Sequence, residues 1–286
     1  RLHFIDADAC SLTPASERKI ENLYIRDDFQ RQDYREIKRV HSLSDIPVFY
    51  IRSLMDLIDE KSVIRKKYRV LINTSSNSLV NYLLHQVLKE LDCEVVKSKT
   101  RQSLEKELQA GVYDLGCVLD SNGETISLYD EKGTPIGKEL QSALVNLIYL
   151  KDKPEGKIVV PYTASGVLDK LAENYNCSVV RTKSSKQAVM MESKGTGLFL
   201  LYFDGVAMLA KLLERMALDH SVLSELIKEI PEFYMKEKEI PCPWNKKGTV
   251  MRSLIEDESQ GDGKVELFEG IRISSDKGWA LILPDS

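Results

Sequence analysis

A cluster of cations and hydroxyls in the second half of the chain is the segment best suited to binding an anion. It reads Arg181-Thr182-Lys183-Ser184-Ser185-Lys186. A helix is predicted over 185–191, so the cluster lies at a helix N-terminus, where free backbone N–H groups and the helix dipole favour a phosphate. The alternative is a capped helix start with solvated charges. The sequence leaves both interpretations open.

Residues that could supply other chemistry are too scattered to form a site. The five cysteines are Cys10, Cys93, Cys117, Cys177 and Cys242. Their spacing excludes a zinc or redox pair, and an odd number in a chain of this size argues against a disulfide framework. We expect reduced cysteines in a cytoplasmic protein. The four histidines are also far apart, and we assign none of them a catalytic or metal-binding role.

Composition excludes several classes of protein. The chain has 286 residues, which is enough for two or three domains, with 40 basic and 44 acidic residues and a formal charge of −4. That charge makes nucleic acid an unexpected partner. No apolar run reaches the roughly 18 residues that span a bilayer, and no signal peptide opens the chain. Because the chain starts at Arg1 without Met, we interpret it as part of something longer.

Apolar runs alternate with amphipathic stretches and predict an α/β fold. Over 45–153, strands are expected at 68–73, 93–96, 114–119 and 125–129, and helices at 79–91, 103–109 and 138–150. Over 154–240, the expected strands are 157–161, 177–181 and 197–201, and the helices are 165–175, 185–191 and 205–217. The prediction is therefore two successive mixed-sheet α/β domains.

The two ends of the chain differ from this pattern. Residues 241–286 predict a small α+β domain, with one helix near Val250 and antiparallel strands at 265–268, 271–274 and 279–283. Residues 1–44 are too short for a domain, and predict a strand at 2–5 and a helix at 16–29.

Several segments resemble the bacterial phosphohexomutases of the phosphomannomutase/phosphoglucomutase type. They are ERKIENLYIRDDF at 17–29, IVVPYTASG at 158–166, VRTK at 180–183, and GI at 270–271 followed by DKGWALILP at 276–284. The chain is similar above all to mutase-like regions fused to bacterial mannose-1-phosphate guanylyltransferases. The resemblance implies domain II at 45–153, domain III at 154–240, a truncated domain IV at 241–286 and the tail of domain I at 1–44.

The family moves a phosphoryl group within a hexose phosphate, using a phosphoserine and a Mg²⁺ held by an Asp-x-Asp-x-Asp loop. The resemblance places that metal loop at Asp120, Asn122 and Glu124. Mg²⁺ prefers anionic oxygens in octahedral geometry, so an amide at the second position and a longer arm at the third weaken the expected site. The alternative is a polar turn, for which Asn122-Gly123 is a strong signal.

The other functional loops of the family are reduced in this chain. Glu192, Ser193 and Lys194 stand where a sugar-binding loop is expected, and contact substrate or form a shortened, hairpin-like connection. Leu283-Pro284-Asp285-Ser286 stands where the family begins its phosphate clamp, without the arginine. Thr163-Ala164-Ser165 shares three letters with the phosphoserine loop but lacks the histidine that follows there, and the phosphoserine itself belongs to domain I. The resemblance thus implies no catalytic residue in this chain. The expected substrate- and phosphate-binding residues are Arg181, Lys183, Lys186, Glu192, Ser193 and Lys194.

These residues support three functional hypotheses. The first is a degenerate mutase that binds a hexose phosphate or supports an upstream nucleotidyltransferase in the same parent chain. The second is an active Mg²⁺-dependent phosphotransferase that interconverts hexose 1- and 6-phosphates when domain I is present. The third is an oligomerisation module, and the sequence leaves a homo-oligomer open. None of the three calls for nucleic acid or a membrane.

Overall fold

The computed structural model describes residues 4–28, 30–36, 38, 44–74, 79–153, 156–258, 264–275 and 278–284. The first helix, α1 (Pro14–Ile25), starts at the N-cap Thr13, whose side chain accepts a hydrogen bond from the Ser16 backbone. The helix predicted at 16–29 is therefore confirmed with shifted ends. None of its residues is buried. Of the strand predicted at 2–5, residues 2 and 3 lie outside the described residues, and Ile5 forms an isolated bridge with Ser11.

The next stretch forms a mixed four-stranded sheet with helices around it. Its helices are α2 (Ile46–Met55), α3 (Glu60–Lys66), α4 (Leu79–Glu90), α5 (Arg101–Leu108) and α6 (Lys138–Asp152). Its strands are β1 (Arg69–Asn73), β2 (Glu94–Lys97), β3 (Leu115–Leu119) and β4 (Ile126–Tyr129). The strand order is β2-β1-β3-β4, with β4 antiparallel to β3 and the other pairs parallel. The predicted order of elements is confirmed from β1 to α6, whereas helices α2 and α3 were not predicted.

The central strand β1 explains why both faces of this sheet are covered. Val70, Leu71 and Ile72 are all fully buried. Because side chains alternate along a strand, Val70 and Ile72 face the main core, whereas Leu71 packs with α5 residues on the opposite face. A three-residue apolar run is therefore typical of a strand that is buried on both sides.

The second α/β unit has a smaller sheet than the sequence predicts. Its elements are β5 (Lys157–Pro161), α7 (Val167–Asn174), β6 (Ser178–Thr182), α8 (Lys186–Ser193), α9 (Gly197–Phe203), α10 (Gly205–Asp219) and α11 (Leu223–Lys228). Strands β5 and β6 form a parallel pair. The strand predicted at 197–201 is wrong, because that segment is helix α9.

The apolar run of α9 was misassigned because a short run carries no decisive periodicity. In the structure, Leu198 and Leu201 are buried, at the spacing of one helical turn. The Tyr202 hydroxyl lies 3.0 Å from Asn146 Oδ1 and 2.9 Å from the Val159 carbonyl oxygen, which anchors α9 to α6 and β5. Asp204 then caps α10 by accepting hydrogen bonds from two backbone N–H groups of its first turn, at 3.0 Å each.

Helix α10 is buried along most of its length and joins the two units. It packs against α3, α4, β4 and α6 of the first unit, and against α9 of the second. Its apolar residues belong to the same core as strands β1 and β5. The domain boundaries predicted at 45–153 and 154–240 stay a prediction, and one continuous core crosses the junction between them.

The last described stretch is a helix followed by an antiparallel meander. It consists of α12 (Trp244–Glu258), β7 (Lys264–Leu267), β8 (Ile271–Ser275) and β9 (Gly278–Ile282). The strand order β7-β8-β9 confirms the predicted antiparallel sheet. The mixed and antiparallel sheets together bear out the predicted fold class.

This meander is attached to the second unit by aromatic and cationic groups. The Arg272 guanidinium lies 5.2 Å from the ring centroid of Tyr162 and 4.7 Å from that of Trp279. The Tyr162 hydroxyl donates to Glu266 at 2.9 Å. Hydrogen bonds from Lys264 and Tyr162 lower the pKa of the Glu266 carboxyl. These contacts join the residue that follows β5 to the sheet at the end of the chain.

The helices that the structure describes include none with both the length and the apolar character needed to cross a bilayer.

Replacing Leu209 by Ala tests whether α10 is buried in the core that the two units share. Leu209 is fully buried, so its loss should lower the free energy of unfolding by about 2–5 kcal/mol through the cavity left behind. The control is Leu218→Ala in the same helix, where the side chain is 41% exposed and the expected change is below about 0.5 kcal/mol. Urea unfolding followed by circular dichroism measures both. Equal effects would contradict the placement of α10.

Candidate functional site

The turn between β3 and β4, residues 120–125, is held in place by two other elements. The Gly205 backbone N–H, at the start of α10, donates to the Gly123 carbonyl oxygen at 2.8 Å. A Cβ at Gly205 would lie 3.2 Å from that oxygen, so the close approach depends on glycine. Gly123 itself has a φ of +76° and lies against Val80 of α4. The turn therefore has a defined position between α4 and α10.

Within this turn, most of the side-chain oxygens already have partners. Asp120 Oδ2 accepts from the Thr125 hydroxyl at 2.7 Å, and Glu124 Oε2 accepts from the Asn122 amide at 2.9 Å. Asp120 Oδ1 is different: it is buried, and it has no hydrogen-bond partner in the described part of the chain. The turn thus offers one unpartnered carboxylate oxygen.

Lys186 links the predicted metal loop to the predicted phosphate loop. Its Nζ atom lies 2.7 Å from Glu124 Oε1, although the two residues are 62 positions apart in the chain. Both side chains are partly exposed, at 43% and 39%. The structure therefore brings together two loops that the sequence predicts separately.

The predicted metal ligands do not form an arrangement that fits Mg²⁺. An octahedral Mg²⁺ needs several hard oxygens that are free to point at one place. Glu124 instead directs both oxygens at N–H donors, and Asn122 presents its amide nitrogen to Glu124. Among the residues described, no group of three or more His, Cys, Asp or Glu side chains could hold a metal ion. Mg²⁺ binding at these positions stays a prediction.

Arg181, the first residue of the predicted phosphate loop, is engaged by the protein. Its guanidinium donates to Asp169 Oδ2 at 2.5 Å and to the Ala164 carbonyl oxygen at 2.9 Å. Only 16% of the side chain is exposed. Arg181 therefore ties β6 to α7 and to the residues before it, and its predicted contact with a phosphate stays a prediction that these bonds do not favour.

The centre of the same loop is bound by a carboxylate from the antiparallel sheet. The Ser184 backbone N–H lies 2.8 and 2.7 Å from the two oxygens of Glu269, and the Ser184 hydroxyl donates to the same group at 2.5 Å. An internal anion thus occupies the donors that the sequence predicts for a phosphate. Glu269 was not identified as a site residue from the sequence, because the local sequence around it does not indicate a contact with Ser184, 85 positions away.

Lys183 has a different environment from its neighbours in the loop. Its side chain is exposed, and the described residues place no acidic group in an ion pair with it. At the start of α8, Ser185 accepts from the Ala188 backbone at 3.3 Å, which confirms the predicted capped helix start. Of the predicted phosphate ligands, Lys183 is thus the one most available to a ligand.

The second predicted group, Glu192, Ser193 and Lys194, lies at the end of α8 and not in a hairpin. Ser193 is fully buried, and its hydroxyl donates to the Val189 carbonyl oxygen at 2.6 Å. Glu192 pairs with Lys157 at 3.2 Å and Lys194 with Asp8 at 2.7 Å. The hydrogen bond to Asp8 raises the pKa of the Lys194 ammonium. A hairpin-like connection was wrong here because a helix follows instead of a strand.

A cavity of about 510 Å³ adjoins the turn and was not predicted. It lies between β4, α6, α9 and α10, and its polar lining includes Arg101, Glu124, Lys138 and Gln141. Glu124 therefore belongs both to the cavity lining and to the ion pair with Lys186. The phosphate-clamp residues Asp285 and Ser286 lie outside the described residues, whereas Leu283 is partly exposed.

Comparisons with known proteins agree with the resemblance read from the motifs. No family model matches the chain. It is 25% identical over 312 residues to a phosphoglucomutase/phosphomannomutase of Thermococcus kodakarensis, with 98% of this chain and 68% of the relative covered. It is also 25% identical over 316 residues to a "probable phosphoglucosamine mutase" of Methanopyrus kandleri, with coverage of 99% and 68%.

A solved structure shares the fold. A phosphoglucomutase/phosphomannomutase family protein of Burkholderia thailandensis superposes with a TM-score of 0.72 at 16% identity, covering 97% of this chain and 64% of that one. The chain thus spans about two thirds of the length of the proteins it resembles. Its homologues and structural neighbours are phosphohexomutase-family proteins, and its fold is similar to theirs. The predicted fusion to a guanylyltransferase stays a prediction.

Replacing Glu269 by Gln tests the carboxylate bound to the Ser184 loop. A charged hydrogen bond contributes about 1 kcal/mol more than a neutral one, so amide exchange at Ser184 should accelerate roughly fivefold to tenfold. Hydrogen exchange with mass spectrometry of the peptide that contains Ser184 measures this. Glu239→Gln, at an exposed position, is the matched control and should leave the peptide unchanged. Equal exchange in both variants would show that the bond to Glu269 does not protect the loop.

Proposed function

We propose that this chain binds a sugar phosphate and does not by itself carry out the metal-dependent phosphoryl transfer of the mutases. One observation carries the proposal: apart from Lys183, the charged groups of the candidate site are paired with other groups of the same chain. Lys186 neutralises Glu124, Asp169 neutralises Arg181, and Glu269 occupies the Ser184 loop.

The physical reason lies in what phosphoryl transfer requires. The reaction depends on positioning and on stabilising negative charge on the phosphoryl oxygens. Loss of a single stabilising group typically costs about 10²–10³ in rate. In this chain both Glu124 oxygens accept hydrogen bonds from the protein, and Arg181 and Ser184 are engaged by internal carboxylates. Several losses together would leave binding as the remaining capacity.

Three features support binding of a sugar phosphate. The cavity beside Glu124 has a volume of about 510 Å³, within the range of small-ligand sites. Lys183 is exposed at the start of α8, where an anion is electrostatically favoured. The relatives named above are mutases of sugar phosphates. The sugar itself is left open by these names, since one refers to glucose and mannose and the other to glucosamine.

A second candidate function is an active mutase that interconverts hexose 1- and 6-phosphates. The matches to mutases extend over 98% or more of the chain, which favours this alternative. In that case the phosphoserine would come from a region before Arg1. A role as support for a sugar-1-phosphate nucleotidyltransferase in the cytoplasm follows from the resemblance alone, and a homo-oligomer stays open.

Calorimetric titration with glucose 1-phosphate, mannose 1-phosphate and glucosamine 1-phosphate tests the binding proposal. We expect saturable binding of at least one of them, weakened roughly tenfold by Lys183→Ala through the loss of one charged hydrogen bond. Lys236→Ala removes an exposed lysine elsewhere and should leave the affinity unchanged. No heat with any ligand would refute the proposal, and so would equal affinities in the two variants.

An assay of isomerisation distinguishes the two candidate functions. The parent protein, including any region before Arg1 that would supply the phosphoserine, is incubated with a hexose 1-phosphate, the corresponding bisphosphate and Mg²⁺, and the 6-phosphate formed is measured. We expect no turnover even then, because the groups of this chain that would stabilise the phosphoryl charge are paired internally. Turnover at the rate of a complete mutase assayed in parallel would establish the second candidate instead.

A further inference from the structure

We infer that the Lys186 ammonium is a built-in cation that takes the place of a divalent metal ion at the β3–β4 turn. This concerns the same site as the proposed function and rests on it for the identity of the turn as the mutase-like metal loop. It goes further by assigning a role to one residue, and by predicting a metal affinity that appears only when that residue is removed.

The first support is the way in which Glu124 is used. One carboxylate oxygen accepts from the Lys186 ammonium at 2.7 Å and the other from the Asn122 amide at 2.9 Å. Each oxygen that could coordinate a metal ion therefore faces a hydrogen-bond donor. A divalent ion that coordinates either oxygen of Glu124 would compete with the donor already bound there.

The second support is the state of Asp120. Its Oδ2 atom accepts from the Thr125 hydroxyl, whereas its Oδ1 atom is buried and has no hydrogen-bond partner among the described residues. A buried carboxylate oxygen without a partner is unusual and suits a cation. The turn therefore keeps part of a metal-ligand set, and what it lacks is a second free carboxylate.

The third support is that both sides of the ion pair come from well-positioned segments. The turn is held by the bond between Gly205 and Gly123, and Lys186 is the first residue of α8, which packs against β5, β6 and α9. The backbone positions of Lys186 and Glu124 are thus fixed by packing and hydrogen bonding, which keeps the two side chains within reach of each other.

These observations predict a competition between the ammonium and a divalent ion. With Lys186 present, an ion at the turn would meet a like charge and only one free carboxylate oxygen. Without it, Glu124 Oε1 would lose its ammonium partner, and the same turn also carries the unpartnered Oδ1 atom of Asp120. Hard cations such as Mg²⁺ and Mn²⁺ prefer such oxygens, and affinity rises with the number of charged ligands.

Titration of Mn²⁺ followed by electron paramagnetic resonance tests this inference on the full chain. Free Mn²⁺ gives a signal that bound Mn²⁺ loses, so the readout is independent of activity. We expect no saturable binding tighter than about 1 mM for the unmodified chain, and at least about tenfold tighter binding for Lys186→Met. The double variant Lys186→Met/Glu124→Gln should lose the gain.

Lys183→Met is the matched control, because it removes the same charge from the same loop without a partner at Glu124. It should shift Mn²⁺ affinity by no more than about twofold. Lys186→Gln serves as a second variant if Lys186→Met does not fold, as judged by circular dichroism. Saturable binding by the unmodified chain that Glu124→Gln abolishes would overturn the inference, as would the lack of any gain in both Lys186 variants.

The outcome is separable from that of the proposed function. Sugar-phosphate binding is measured by calorimetry without metal, and Mn²⁺ binding without sugar. A chain that binds Mn²⁺ and also binds a sugar phosphate would refute the role of Lys186 alone. A chain that binds neither, but gains Mn²⁺ affinity with Lys186→Met, would refute only the proposed function.

Discussion

Burial of helix α10 is the constraint on which the rest of this structure depends. The helix packs against α3, α4, β4 and α6 of the first unit and against α9 of the second, so that both α/β units share one core. Asp204 caps the helix and also accepts a hydrogen bond from the Tyr50 hydroxyl at 2.9 Å. This bond joins the first turn of α10 to α2. Burial raises the pKa of Asp204. From that first turn, Gly205 holds the Gly123 carbonyl oxygen, and through it the candidate metal loop.

The ion pairs of the site neutralise charges there but add little to the free energy of unfolding. A pair such as Lys186–Glu124, with both side chains about 40% exposed, is typically worth about 0–1 kcal/mol because water screens it. Burial of a single leucine in α10 is worth several times more. The core therefore stabilises the fold, and the ion pairs form as a consequence of that fold. Their importance is chemical, since they decide which charges a ligand or a metal ion meets.

The antiparallel sheet adds a second kind of contact to the site. Arg272, stacked between Tyr162 and Trp279, attaches the sheet to the second unit, and Glu269 then reaches the Ser184 loop. The same loop is thus contacted by the last unit through Glu269 and by the first unit through Lys186 and Glu124. All three units meet there, which explains why a loop with three cations and three hydroxyls is not simply solvated.

The sequence by itself determined the order of strands and helices over 68–150 and the antiparallel meander at the end, because those elements show clear local periodicity and turn signals. The mutase-like fold followed from the resemblance of several segments to the phosphohexomutases. The sequence misassigned α9, where the four apolar residues at 198–201 suit a strand as well as a helix, and only packing against α6 and β5 decided between them. It also named Lys186, Glu124 and Ser184 as site residues but could not pair them. Tertiary structure alone decided that Lys186 contacts Glu124 and that Glu269 contacts Ser184. The first two residues are 62 positions apart in the chain and the second two are 85 apart, and each pair joins two different units, so local sequence patterns could not reveal either contact.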